Sequence, residues 1–132
     1  MRYSLDTNIV SDLVRNPQGR VARHIRRVGE TAVCASVIVA AELRYGAQKK
    51  GSARLAAQLD AVLGALAIVA FEPPADVAYG AIRARLERSG RSIVGNDLLI
   101  AAQAVALGLT IVTDNEAEFG GVEGLSVENW LK

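Results

Sequence analysis

The feature that most constrains the fold of this chain is a regular alternation of short apolar runs and longer helical patterns. Runs such as RYSL, TAVCA and LTIVTD are typical of buried strands. The segments between them carry apolar residues at helical spacing, and several have start or stop signals such as Ser36, Ser52 and Gly108. Strands that alternate with helices predict an α/β fold, with a parallel sheet covered on both faces.

The same pattern divides the chain into elements that follow one another without a linker. The predicted strands are RYSL, TAVCA, AIVAF, LTIVTD and LSVENW, and AIVAF is expected to be buried. The predicted helices are NIVSDLVRN, VIVAAELRYGAQKK, SARLAAQLDAVLGAL, ADVAYGAIRARLERSG and NDLLIAAQAVALG. With 132 residues and no internal repeat, we expect a single domain over 1–132.

Cysteine content and charge narrow the class of protein. The one cysteine, Cys34, lies in an apolar run, which predicts a buried side chain, no internal disulfide and a cytoplasmic location. No apolar run approaches the ~20 residues that span a bilayer, so no membrane partner is expected. The net charge is only +1, but basic runs precede a stretch from Asp97 to Glu128 in which every charged residue is acidic. Such sorting suits a polyanion on one surface and cations at another, although solvated helix faces would look the same.

Four carboxylates stand where a parallel sheet gathers ligands, beyond the carboxyl ends of its strands. Asp6 directly follows the first strand, and Asp114 directly follows LTIVT. Asp97 lies in the first turn of a predicted helix, and Glu42 lies inside a helix that is apolar on nearly every side. We therefore expect Glu42 to be largely covered, which is costly for an ionised carboxylate unless it is paired or coordinated.

Each acid also has an ordinary structural explanation. Asp6 suits a helix cap, Asp97 suits the dipole of its helix, Asp114 suits the start of a turn, and Glu42 could reach solvent. Together the four would repel one another, and a hard divalent cation removes that conflict. Mg²⁺, with Mn²⁺ as the alternative, prefers carboxylate oxygens, whereas one histidine and one cysteine disfavour zinc. The sequence thus predicts that these four acids are catalytic and bind the metal ion.

Polar residues beside the acids are candidates for orienting the carboxylates or water. These candidates are Thr7, Asn8, Thr113 and Asn115. Carboxylates, a metal ion and water are a chemistry suited to phosphodiester hydrolysis. His24 is the only histidine, so a nuclease that uses a histidine pair is excluded, and His24 is expected to be a solvated member of a basic patch.

The segments LDTN, AEL, GNDLLIAA and IVTDNEAEF, in this order and spacing, resemble the PIN domain. More narrowly, they resemble the VapC-type toxins of bacterial toxin–antitoxin pairs, and the likeness extends through RARLERSGRSIVGND and VEGLSVENW. The resemblance implies a three-layer α/β/α sandwich around a mostly parallel sheet. It also matches Asp6, Glu42, Asp97 and Asp114 to the acidic metal-binding quartet of the family, whose fourth position is sometimes asparagine.

The resemblance implies an endoribonuclease that depends on Mg²⁺ or Mn²⁺ and hydrolyses RNA, with tRNA as the expected substrate. The expected products carry a 5′-phosphate and a 3′-hydroxyl. The implied partners are a VapB-type antitoxin, promoter DNA bound through the antitoxin complex, and a second copy of the chain in a homodimer. The basic residues expected to contact the RNA backbone are Arg15, Arg20, Arg23, Arg83 and Arg91.

Two other functions stay open at this point. A metal-dependent phosphatase with an aspartate nucleophile after its first strand would usually carry a second acid two residues later, where this chain has Asn8. A non-catalytic PIN-like module that binds RNA or a protein partner would usually have lost some of the acids, and all four are present here.

Overall fold

A five-stranded parallel sheet forms the centre of the computed structural model, which describes residues 1–93 and 95–132. The strands are β1 (Tyr3–Leu5), β2 (Val33–Ser36), β3 (Ala67–Val69), β4 (Thr110–Val112) and β5 (Val127–Glu128). Their order across the sheet is β3-β2-β1-β4-β5, and every neighbouring pair is parallel. The predicted α/β fold with a parallel sheet is therefore confirmed.

Seven α-helices flank this sheet in the described part of the chain. They are α1 (Thr7–Arg15), α2 (Arg20–Val28), α3 (Val37–Lys50), α4 (Ala53–Ala65), α5 (Ala75–Arg88), α6 (Gly95–Leu107) and α7 (Glu116–Phe119). A 3-10 turn at Glu30–Ala32 leads into β2. The predicted caps are confirmed, because the Ser36 hydroxyl accepts from the Ile38 N–H and the Ser52 hydroxyl accepts from the Leu55 N–H.

The central strands are buried on both faces, as expected of a parallel sheet between helix layers. All four residues of β2 are buried, including Cys34, and so are Leu5 of β1 and Ile111 and Val112 of β4. Helices α5 and α6 pack against each other, while α1, α3 and α4 form a second group. This arrangement confirms the three-layer sandwich.

The order of the strands sets the position of the functional site. The chain builds outward from β1 to β2 and β3 on one side, and then returns to add β4 and β5 on the other side. The crossover directions therefore reverse between β1 and β4, which are hydrogen-bonded neighbours with Ser4 opposite Ile111. In sheets of this type, ligands bind at such a switch point, beyond the carboxyl ends of the two strands.

Several local predictions were wrong or incomplete. Helices α2 and α7 were not predicted as elements. Strand β3 is not buried, because it lies at the edge of the sheet and Ile68 is exposed. Helix α3 is less covered than its apolar sequence suggested, since Tyr45 is 66% exposed and Glu42 is only half-buried. Tyr45 lies on a face of α3 that is open to solvent, whereas Glu42 lies beside Thr7 of α1.

The last residues of the chain pack over α2. Trp130 is buried, and its ring is stacked on the ring of His24, with the ring centres 4.9 Å apart. His24 is half-buried, and Arg27 Nη2 lies 2.7 Å from its Nδ1, so the expectation of a solvated histidine was wrong. Burial and then the nearby Arg27 charge lower the pKa of His24. No helix among the described residues is long and apolar enough to cross a membrane.

A buried amide ties α6 to the end of the edge strand. Gln103 is 3% exposed, and its Nε2 donates to the carbonyl oxygens of Val69 at 3.1 Å and Ala70 at 2.9 Å. A backbone carbonyl at a sheet edge that loses such a partner inside the protein pays a desolvation cost that nothing offsets. Gln103 therefore fixes β3 against the helix layer.

We expect Gln103→Met to lower the free energy of unfolding by about 1–3 kcal/mol, because the two carbonyl groups lose their donor. Urea denaturation followed by circular dichroism measures the change. Gln48→Met at an exposed position of α3 is the matched control and should shift stability little. A Gln103 variant as stable as this control would show that the amide does not hold the edge strand.

Candidate active site

Asp6 lies at the switch point of the sheet with both carboxylate oxygens held. It is 5% exposed, Oδ1 accepts from the Thr7 N–H at 2.8 Å, and Oδ2 accepts from Thr113 Oγ1 at 2.8 Å. Thr113 directly follows β4 and is fully buried, so its hydroxyl has a fixed position. Asp6 is also the N-cap of α1, which confirms its ordinary structural role. The two roles are compatible, because Oδ1 caps α1 after β1 while Oδ2 accepts from Thr113 after β4.

Thr7 connects Asp6 to a second acid. Its Oγ1 donates to Glu42 Oε1 at 3.3 Å, while its N–H donates to Asp6. Glu42 reaches this point from α3, which begins directly after β2, the other neighbour of β1. Arg44, two residues further along α3, makes an ion pair with Asp60, with Arg44 Nη1 2.6 Å from Asp60 Oδ1. The half-buried carboxylate of Glu42 therefore faces the other acids.

Asp97 completes the group from the first turn of α6. The pKa of Asp97 is raised to about 7, by burial first, then by a hydrogen bond with Glu118 and by the charges of Asp6, Glu118 and Glu42. The pKa of Asp6 is also raised, by burial first, and the hydrogen bonds from Thr113 and Thr7 only partly oppose this. Three predicted acids thus lie close enough to interact electrostatically: Asp6, Glu42 and Asp97.

The fourth predicted acid, Asp114, lies at the rim of this group. It is exposed, and its Oδ1 accepts from Asn8 Nδ2 at 3.1 Å. Its charge still raises the pKa of Asp6. The Asn115 N–H donates to Thr113 Oγ1 at 3.0 Å, which holds the hydroxyl that contacts Asp6. The predicted orienting residues Thr7, Asn8, Thr113 and Asn115 therefore all lie beside the acids.

Glu118 is a fifth acid that the sequence reasoning missed. It lies on α7, hydrogen-bonds with Asp97, and accepts from Asn115 Nδ2 at 2.5 Å. The reasoning selected acids that directly follow strands or lie on predicted helices, and α7 was not predicted. A sequence signal was present, because three acids at alternating positions, Asp114, Glu116 and Glu118, precede the buried Phe119.

Comparison with known proteins places this arrangement in a family. Residues 3–124 match the PIN domain family. The ribonuclease VapC2 of Haemophilus influenzae is 38% identical over 99% of both chains. The tRNA(fMet)-specific endonuclease VapC of Shigella flexneri is 33% identical over 98% of both chains. This chain belongs to the VapC group of the PIN-domain family.

The likeness to this family extends to the three-dimensional structure. The crystal structure of VapBC2 from Rickettsia felis bound to a DNA fragment from its promoter superposes with a TM-score of 0.89. That alignment covers 98% of this chain and 99% of the other, at 35% identity. The predicted PIN-domain and VapC resemblance is therefore confirmed for both sequence and fold.

The donor chemistry of this PIN-domain site suits a hard divalent cation. All the candidate ligands are carboxylate oxygens, and the pKa of Asp97 is raised by burial first and then by the neighbouring acids Glu118, Asp6 and Glu42. Among residues 1–93 and 95–132, no three acidic, histidine or cysteine side chains already form a complete metal-binding group. Mg²⁺ commonly binds through one or two carboxylates and keeps several waters, so a complete protein cage is not required. The residues present fit Mg²⁺ or Mn²⁺.

The predicted RNA-contact arginines of this PIN domain divide into two groups. Arg83 is engaged on its own helix, where Nε lies 3.2 Å from Glu87 Oε2 and Nη1 donates to the Tyr79 hydroxyl at 3.1 Å. The guanidinium of Arg91 lies directly against Gly121, within 2.5 Å of where a Cβ would stand. The other three, Arg15, Arg20 and Arg23, line one cavity at the turn between α1 and α2.

We expect Asp97→Asn to stabilise the metal-free protein at neutral pH. The folded-state pKa of about 7 exceeds the ordinary value of 3.8, so wild-type stability falls as pH rises between these values. Asparagine does not ionise and escapes this loss. The increase in the free energy of unfolding of Asp97→Asn over wild type should be near zero at the acid end of this pH range. It should reach about 1 kcal/mol above neutral pH, after allowance for solvent screening.

Thermal denaturation in EDTA across this pH range measures the difference between Asp97→Asn and wild type. Asp76→Asn, at an exposed position in the first turn of α5, is the matched control and should show no such pH dependence. A stability difference that stays constant with pH would contradict the electrostatic origin assigned to the shift.

Proposed function

We propose that this chain is an endoribonuclease toxin that uses Mg²⁺, or Mn²⁺ in its place, and is neutralised by a cognate antitoxin. The observation that carries the proposal is the convergence of Asp6, Glu42, Asp97 and Glu118 at the β1–β4 switch point of a PIN-domain chain. The VapC relatives named as ribonuclease and as tRNA(fMet)-specific endonuclease support RNA as the substrate and tRNA as its class.

Asp6 and Asp97 are the residues that would hold the cation, with Glu42, Glu118 and Asp114 around them. A bound Mg²⁺ supplies an activated water and stabilises the leaving oxygen of a phosphodiester. The expected products are RNA ends with a 5′-phosphate and a 3′-hydroxyl. The charges that raise the pKa of Asp97 also make the metal-free site costly, which favours binding of a cation.

The remaining polar residues position these carboxylates. Thr113 and the Thr7 N–H each hold one oxygen of Asp6, so its carboxylate plane has a single orientation. The Thr7 hydroxyl holds Glu42, and Asn8 holds Asp114. Fixed orientation of this kind typically accounts for 10–100-fold in the affinity or activity of metal sites, roughly, when the supporting partner is removed.

The proposed partners follow from the VapBC neighbour. In that structure the complex is bound to a DNA fragment from its promoter. We propose that this chain likewise pairs with a VapB-type antitoxin, that the pair binds promoter DNA, and that the toxin forms a homodimer. A groove of about 300 Å³ bounded by α1, α3 and α4 is lined by Thr7 and Glu42, so it borders the group of acids on one side.

We expect Asp6→Asn to reduce RNA cleavage by more than about a hundredfold, since loss of supporting partners alone costs roughly 10–100-fold. Asparagine still caps helices well, so the fold should be retained. Cleavage of tRNA by purified protein is measured with Mg²⁺, with Mn²⁺ and with EDTA, and RNA ends are mapped. Asp76→Asn is the charge-matched control.

Three results would contradict this proposal. Cleavage that survives both EDTA and the Asp6 substitution would refute the metal site. Wild-type protein that binds RNA and never cleaves it would favour the non-catalytic PIN-like module. Release of phosphate from a small phosphate ester, without RNA cleavage, would favour the phosphatase.

We expect Thr113→Val to lower kcat by about 10–100-fold with a small change in KM, because Asp6 loses the donor to Oδ2 while the side-chain shape is kept. Steady-state kinetics with Mg²⁺ in excess measures both constants. Thr110→Val, at the start of the strand that Thr113 follows, is the control. Equal kcat for the two variants would show that the Thr113 hydroxyl does not orient Asp6 for the reaction.

A further inference from the structure

The acid site by itself repels its proposed substrate. Asp6, Glu42, Asp97 and Glu118 crowd negative charge at the place where an RNA phosphate must come. One cation offsets only part of this, and most nucleic-acid affinity comes from basic side chains that contact phosphates. The affinity for RNA must therefore come from a basic surface outside the acid site but connected to it.

Three arginines converge on a single cavity of about 530 Å³ at the α1–α2 turn: Arg15, Arg20 and Arg23. Arg15 is the last residue of α1, and Arg20 is the first of α2. Gly19 makes this tight return possible, because a Cβ there would stand 2.9 Å from Asn16 Cβ and 3.1 Å from the Asn16 carbonyl oxygen. Arg20 and Arg23 are three apart on α2 and share one face.

The guanidinium groups in this cavity are held but not neutralised. Arg20 Nη1 donates to the Leu131 carbonyl at 3.1 Å, and Arg23 Nη1 donates to the Gln18 carbonyl at 3.4 Å. Within the described residues, Arg15 has no ion pair or hydrogen bond. The one acid lining the cavity, Asp12, accepts from Asn16 Nδ2 at 2.9 Å. The cavity therefore keeps a net positive charge.

Arg15 connects this cavity to the acid site. It also lines the groove of about 300 Å³ that contains Thr7 and Glu42. Thr7, Ser11 and Arg15 repeat every four residues and so lie along one face of α1. With a rise of about 1.5 Å per residue, Arg15 stands about 12 Å along the helix axis from Thr7. A nucleic-acid strand seated at the acids can thus reach the arginines within a few nucleotides.

We propose that the cavity formed by Arg15, Arg20 and Arg23 binds backbone phosphates of the RNA substrate a few nucleotides from the bond that is cut. This inference rests on the proposed ribonuclease function. The substrate then runs along α1 in one direction from the acids. Arg83, by contrast, is paired with Glu87, and Arg91 lies against Gly121.

An acidic segment of a protein partner is the competing ligand for three arginines. The position of Arg15 favours RNA, because a polynucleotide cut at the acids must continue from them, and Arg15 lines both this basic cavity and the groove that contains Glu42. Guanidinium groups bind phosphate oxygens in pairs of parallel hydrogen bonds. The three arginines lie at different positions around the α1–α2 turn, so successive phosphates of one RNA strand could each bind one of them.

RNA binding without cleavage tests the proposal directly. The substitutions Arg15→Gln, Arg23→Gln and both together are made in the full-length Asp6→Asn protein. Affinity for a fluorescein-labelled single-stranded RNA of about 12 nucleotides is measured by anisotropy over a range of salt. Arg26→Gln is the control, because it removes the same charge from the exposed surface of α2 but lines a different cavity, against α4. Arg20 is left intact because it also holds the end of the chain.

The double variant should bind RNA about tenfold more weakly, and its salt dependence should flatten by about 0.7 per lost phosphate contact. Arg26→Gln should match the parent, and Arg15→Lys should recover most of the affinity because it restores the charge. In the active protein, the same substitutions should raise KM for tRNA while kcat stays nearly constant.

Unchanged RNA affinity in the double variant, with the parent binding normally, would overturn the proposal and leave the ribonuclease function standing. Loss of inhibition by the antitoxin with unchanged RNA affinity would overturn it in favour of a protein ligand. Wild-type protein that does not cleave RNA, together with an Asp6→Asn parent that does not bind it, would refute the ribonuclease function itself.

Discussion

The burial of several carboxylates close together at one point of the sheet is the constraint on which the candidate site depends. Asp6 and Asp97 both have raised pKa values, and burial is the largest cause for each. A fold organised only for stability would separate such groups or pair them with cations. Here the nearest supports are hydroxyl and amide donors, Thr7, Thr113 and Asn115, which fix the acids without neutralising them. The site is therefore oriented in advance for a positive ligand.

The sheet topology explains why these acids meet although they are far apart in sequence. Reversal of the crossover direction between β1 and β4 places a gap beyond the carboxyl ends of these two strands, as in other open α/β sheets. Asp6 enters this gap as the cap of α1, so the same carboxylate starts a helix and faces the site. A substitution to alanine would remove both roles at once. Asparagine keeps the cap and removes the charge, which separates function from folding.

Much of this arrangement could be predicted from the sequence, because strand ends in an α/β pattern carry positional information. Two acids directly after strands, Asp6 and Asp114, had to emerge at one edge once the strands were parallel neighbours. The sequence could not rank them by burial, which depends on packing, and Asp114 proved to be exposed at the rim. Glu118 was missed because a four-residue helix has too few residues to show a period. The burial of β3 was predicted wrongly, because its position at the edge depends on the order of the strands in the sheet and cannot be read from the segment AIVAF.

The uneven distribution of charge along the chain now has a spatial meaning. The acidic stretch that begins at Asp97 supplies Asp97 on α6 and Glu118 on α7, which are hydrogen-bonded at the candidate site, while basic residues earlier in the chain line the turn between α1 and α2. Helix α1 joins the two regions, with Asp6 at one end and Arg15 at the other. Opposite charges at the two ends of one rigid helix keep a fixed separation, so they cannot collapse onto each other. A polyanion at the basic region and a cation at the acidic region could therefore bind side by side on the same surface. The net charge of +1 gives no sign of these two oppositely charged regions.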